Sequence, residues 1–149
     1  MPSVPAEIFK AYDIRGIVGK TLTPDIAESI GRAIGAHARA MSQSRMAIGR
    51  DGRLSGPALS AALARGLQAS GIDVIDIGRV ATPMLYFATH HLQTGSGVMV
   101  TGSHNPPDYN GLKMMVAGQT LAGEAIQSLR ERIEASDFAT GSGGYRQRD

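Results

Sequence analysis

Apolar residues recur at helical spacing in four stretches of the chain. Over 24–41, Ile26, Ile30, Ala33, Ile34 and His37 fall on one face. Thr23 is placed to cap the first turn, and Pro24 takes the first helical position, where a missing N–H costs nothing. A second helix is expected after Ser55, another capping candidate, with Leu59, Ala62, Leu63, Gly66 and Leu67 turned inward until Ser70-Gly71 ends it. Thr82-Pro83 repeats the cap-plus-proline start ahead of Leu85, Ala88 and Leu92. A fourth helix begins near Gly123, carries Ile126, Leu129, Arg130 and Ile133 at helical spacing, and ends before Asp137.

Short apolar runs lie between these helices. Met46-Ala47-Ile48, Val74-Ile75-Asp76-Ile77 and Val98-Met99-Val100 are bounded by glycine or polar residues, and their length and β-branched content predict buried strands; 112–116 forms a fourth. Strands alternating with helices imply right-handed crossovers and a largely parallel sheet. The loop over 102–110 is too short for a parallel crossover, so 112–116 is expected to return antiparallel, at a sheet edge. The predicted fold is therefore a three-layer α/β/α domain with a four-stranded mixed sheet whose last strand is antiparallel. It should occupy 1–138. The glycine- and serine-rich run after Phe138 and the polar end that follows give 139–149 the composition of a linker or disordered tail with nothing to pack.

Composition narrows the function classes. The 149 residues are 42% hydrophobic and 19% charged, ordinary globular usage. The absence of cysteine excludes disulfides, a thiolate nucleophile and Cys-ligated metals, and fits a reducing cytoplasm. A net charge of +2 gives little support to nucleic-acid binding. The first residues lack a cationic start and apolar run, and no stretch is long enough to span a bilayer, so a soluble cytoplasmic protein without membrane or nucleic-acid partners is expected.

One loop stands out chemically. Thr101-Gly102-Ser103-His104-Asn105-Pro106-Pro107-Asp108-Tyr109-Asn110-Gly111 follows a predicted strand, where α/β sheets tend to place ligands. Gly102 leaves backbone room beside Ser103, neighbouring N–H groups can cradle an anion, and Lys113 adds a point charge. A serine among cations suggests phosphoryl chemistry, the hydroxyl carrying the group while Lys and Arg neutralise its oxygens. A nucleophile elbow is excluded, because Thr101 and Asn105 stand where glycines are needed, and no Walker loop is present. His104, adjacent to Ser103 in an extended segment, points away from it and more naturally meets a substrate. The same composition also suits an Asn/Pro/Gly-rich hairpin without chemistry. His37, His90 and His91 lack partners at ligand spacing, and Asp13 beside Arg15, like Asp51 between Arg50 and Arg53, reads as an ordinary loop ion pair. Arg15 matters only if the fold brings it to Ser103.

Three segments carry a family resemblance: Phe9-Lys10-Ala11-Tyr12-Asp13-Ile14-Arg15-Gly16, Gly49-Arg50-Asp51-Gly52-Arg53-Leu54-Ser55 and the Ser103 loop with its Asn-Gly-x-Lys continuation. Together they resemble the N-terminal domain of the bacterial phosphomannomutase/phosphoglucomutase family, in the α-D-phosphohexomutase superfamily. The resemblance implies an enzyme, an intramolecular phosphotransferase, that interconverts hexose 1-phosphate and hexose 6-phosphate of mannose or glucose through a hexose 1,6-bisphosphate. It further implies Ser103 as the phosphoserine, Arg15 and Lys113 as cations of the phosphoserine loop, Tyr12 as a substrate-pocket residue and His104 as a neighbour of the reacting hydroxyl.

The family's Mg2+ is held by the phosphoserine and three aspartates of an Asp-Gly-Asp-x-Asp loop in a second domain. Here only Ser103, through its phosphate, would contribute, since no closely spaced Asp triplet occurs and Asp73 and Asp76 lie along a predicted strand. The resemblance thus implies the nucleophile-bearing domain of a larger enzyme, with the missing domains of that enzyme and a phosphosugar as its partners, and an isolated chain without full turnover. The alternative is a stand-alone fold or anion-binding module that keeps the loop but does not catalyse.

Overall fold

In a computed structural model that describes residues 4–102 and 105–148, the elements follow in the order β1 (Ile14–Ile17), α1 (Pro24–Ala40), β2 (Arg45–Arg50), α2 (Gly56–Ala69), β3 (Asp73–Arg79), α3 (Thr82–His91), β4 (Gly97–Val100), β5 (Tyr109–Val116), β6 (Gln119–Thr120), α4 (Glu124–Glu134) and β7 (Tyr145–Gln147). The helices lie where the periodicity predicts them. Thr23 caps α1 by accepting a hydrogen bond from the Ile26 amide at 3.3 Å. The other two capping expectations fail: Ala81 takes the cap position before α3, and the Ser55 hydroxyl makes no cap bond but accepts from Asn110 Nδ2 at 2.8 Å.

The sheet is mixed, and it is larger than four strands. Its seven strands run β1-β5-β4-β2-β3-β7, with β6 beside the far end of β5. β2 pairs in parallel with β3 and β4, whereas β5 is antiparallel to β4, as the short loop between them requires. β5 is not at an edge, however, because β1 pairs with its first half and β6 with its last two residues. The sequence of β1, Ile-Arg-Gly-Ile, is too short and mixed to read as a strand, so backbone pairing alone makes it one. The same holds at the opposite edge. Residues 145–147, expected to have nothing to pack, form β7 parallel to β3, because pairing uses backbone groups and all three side chains stay exposed. The Tyr145 hydroxyl also donates to the buried Asp76 carboxylate. Burial, with that bond, pushes the Tyr145 phenol above its ordinary value.

α1, α2 and α4 cover one face of the sheet. Ile30, Ile34, Leu63, Leu67, Ile126 and Leu129 pack there against Met46, Ile48, Val98, Val100, Leu112 and Met114. α1 and α2 approach closely because Gly66 has no Cβ, which would strike the Glu28 carbonyl in α1. The other face carries α3, with Leu85 over Ala47 and Met99. Much of that face is left open toward β1 and β5. No helix among the described residues is long and apolar enough to cross a membrane.

Candidate active site

The pairing of β1 with β5 sets Ile14 opposite Leu112 and Arg15 opposite Gly111. Side chains alternate along a strand, so Ile14 and Leu112 enter the packed core while Arg15 and Lys113 share the other face. Arg15 and Lys113 line one open cleft of roughly 550 Å³ with Lys10, Tyr12, Asp13, Asn105 and Tyr86 of α3. Three cations there face one carboxylate. No ion pair joins Asp13 to Arg15 among the described residues.

Tyr12 reaches the cleft on a turn closed by the Lys10 amide, which donates to the Asp13 carbonyl at 2.9 Å, and by the bridge between Phe9 and Ile14. α4 steadies this turn: Gln127 Nε2 donates to the Phe9 carbonyl at 2.9 Å and the Gly123 amide to that of Ala11 at 2.7 Å. The Tyr12 ring is left 78% exposed, available to a ligand rather than spent in the core.

Ser103 and His104, the centre of the sequence-based reading, lie outside the described residues. Their flanks are well fixed. The Thr101 amide donates to the Gly111 carbonyl at 2.9 Å, and Asn105 Nδ2 and its amide donate to the Gly102 carbonyl at 2.8 and 3.0 Å. Asn105 itself lines the cleft beside Arg15 and Lys113.

Asp51 and Arg53 hold those flanks, a function the sequence reading missed. The Asp51 carboxylate accepts from the Thr101 hydroxyl at 2.8 Å, the Gly102 amide at 3.1 Å and the Arg53 amide at 3.1 Å. Arg53 Nη1 donates to the carbonyls of Pro106 at 2.7 Å and Tyr109 at 3.1 Å, and Nη2 donates to that of Asn105 at 2.8 Å. Beyond the expected ion pair, which forms at 3.4 Å between Arg53 Nε and Asp51 Oδ2, the two side chains knit the segment after β2 to the loop after β4. The usable signal was topological: neighbouring parallel strands bring the loops at their C-terminal ends together, so Asp51-Gly52-Arg53 after β2 had to meet Thr101-Gly102 after β4.

The carboxylates here do not make a divalent-cation site by themselves. Asp51 is committed to the loop as described. Asp76 accepts from the Gly78 amide and the Tyr145 hydroxyl and faces Arg50 at 3.6 Å, and Asp73 accepts from the Gly144 amide at 2.8 Å. Among the described residues no three potential metal ligands cluster. What the cleft offers is fixed positive charge, suited to a phosphate-bearing anion.

Residues 6–140 match the family described as phosphoglucomutase/phosphomannomutase, alpha/beta/alpha domain I. The chain belongs to that family. It is 58% identical to the phosphomannomutase/phosphoglucomutase of Pseudomonas aeruginosa over 148 residues, which cover 99% of this chain and 32% of that protein. It is 62% identical to a phosphoglucomutase of Neisseria gonorrhoeae over 138 residues, 93% of this chain and 30% of the relative. A crystal structure of a phosphoglucomutase/phosphomannomutase family protein from Burkholderia thailandensis superposes with a TM-score of 0.93 at 49% identity, covering 98% of this chain and 34% of the other. This domain I chain therefore spans about a third of the length of the curated relatives it matches.

Proposed function

We propose that this domain I carries the phosphoserine of a phosphohexomutase, with Ser103 as the residue that gives and takes the phosphoryl group. The observation that carries the reading is the single cleft that gathers Tyr12, Arg15 and Lys113 around Asn105, two residues from Ser103. Elements far apart in sequence converge there on a net positive pocket, as transfer of a phosphoryl group between anions needs.

In the proposed reaction the bond from phosphorus to Ser103 Oγ breaks as one forms to O6 of a hexose 1-phosphate. The sugar hydroxyl proton ends on Ser103 Oγ, leaving a hexose 1,6-bisphosphate. After that intermediate turns over in the site, its 1-phosphoryl group returns to Ser103 and a hexose 6-phosphate leaves. Arg15 and Lys113 offset charge on the transferring oxygens, Tyr12 packs against the sugar, and His104 is the neighbour of the reacting hydroxyl that the family resemblance implies. Mannose and glucose phosphates are the proposed substrates. The carboxylates described here do not suffice for the Mg2+ that the resemblance implies. Phosphorylated Ser103 would offer it one ligand, the rest coming from parts of the relatives that this chain does not span. Residues 139–149 are read as the connection toward those parts, a connection whose residues 145–147 also pair with β3.

Because positioning and charge stabilisation dominate this chemistry, the isolated chain is expected to fold without mutase turnover. The deciding experiment is intact-mass measurement with and without a hexose 1,6-bisphosphate. The chain carried to the full length of its relatives should gain one phosphoryl group that Ser103→Ala cannot accept, with loss of mutase activity. Normal activity in Ser103→Ala would sink the reading, as would relative-like turnover by the 149-residue chain alone.

A further inference from the structure

We propose that Arg53, backed by Asp51, is a positioning residue that sets the backbone on both sides of Ser103. The proposal rests on the reading of Ser103 as phosphoryl carrier, but its geometry stands independently. The Arg53 guanidinium bridges three backbone carbonyls, those of Asn105, Pro106 and Tyr109, from a side chain only 16% exposed. Its Nε faces Asp51 Oδ2 at 3.4 Å, and that same oxygen takes the Thr101 hydroxyl and the Gly102 amide. One Asp–Arg unit thus grips the loop before Ser103 through the carboxylate and after it through the guanidinium.

Gly102 supports the same conclusion. A Cβ at that position would collide with the Arg53 guanidinium, so any side chain before the serine would have to push the arginine off the carbonyls it holds. Lysine cannot substitute here: its single ammonium is a point charge on a flexible stem, without the planar fork that reaches three carbonyls at once. Arg53 does not line the cleft with Arg15 and Lys113, so its effect on reaction passes through the loop rather than through the substrate. A loop misplaced by about 1 Å can lose on the order of 10²-fold in rate.

Two measurements on Arg53→Ala and Arg53→Lys test this. Amide hydrogen exchange on the 149-residue chain reads loop order without any phosphoryl chemistry. The expected result is at least about tenfold faster exchange at Gly102 and Asn105 in both variants, with the amides of β2 and β4 unchanged. Steady-state kinetics on the chain carried to the full length of its relatives should then give kcat lower by about 10-fold to 10²-fold, KM for hexose 1-phosphate within about twofold, and no rescue by lysine. Unchanged exchange at Gly102 and Asn105 in Arg53→Ala overturns the proposal, and so does recovery of kcat in Arg53→Lys, which would make charge rather than the fork decisive. If the parent protein takes up no phosphoryl group from a hexose 1,6-bisphosphate, the Ser103 reading has failed, and the exchange data alone decide whether Arg53 orders the loop.

Discussion

On one face of the sheet α1, α2 and α4 bury Ile30, Leu63, Ile126 and their neighbours in a continuous apolar layer, while the other carries α3 over Ala47 and Met99 and leaves Arg15 and Lys113 beside an open cleft. The same strands build both. Along β5, Leu112, Met114 and Val116 point into the packed layer, and Lys113 between them serves the cleft. Stability is therefore concentrated on one side of the backbone and the proposed chemistry on the other. A residue's number along β5 says which it serves.

The sharpest way to break this contrast is to damage the packed face. Leu63 is fully buried between α1 and the sheet, so Leu63→Ala should cost about 2–5 kcal/mol in urea unfolding, through lost transfer energy and a residual cavity. A cost below that of Met99→Ala on the thinner face would mean the stability is not distributed as described.

Lys113→Ala should do the reverse. Its side chain leaves the packed layer untouched, so the urea midpoint should barely move, within about 0.5 kcal/mol. Turnover in the chain carried to the full length of its relatives should fall about 10²-fold, because the lost charge acts mainly on the transferring phosphoryl group. Equal losses of stability and rate would erase the division between the faces.

The smallest expected effect comes from His37 on α1. Burial first, and the Arg132 charge second, hold its imidazole below the ordinary value of 6.5, so the folded state favours the neutral form. The unfolded chain then binds more protons below that pH. Stability should be fully present above about 6.5, decline as pH falls from there toward the folded value, and level off beneath it. His37→Gln should flatten that part of a stability-versus-pH curve, and an unchanged curve would remove His37 as the cause.

Much of this was legible in the sequence, for local reasons. Thr23-Pro24 and the spacing of Ile26, Ile30 and Ile34 announce α1 because capping and helical period are set by near neighbours, and the short loop over 102–110 leaves no room for a parallel return, which makes β5 antiparallel. Lys113 was likewise readable as a charge beside the loop, whereas the proposed roles of Tyr12 and Arg15 come from the family that their segment resembles. Tertiary structure alone decided the rest. β1 and β7 are strands through backbone pairing that their mixed or polar side chains do not advertise, and Ser55 gave up a cap bond for Asn110. Asp51 and Arg53 turned from a local ion pair into the brace of the Ser103 loop because β2 and β4 lie side by side, and the order of strands in a sheet is fixed by contacts between residues distant in sequence.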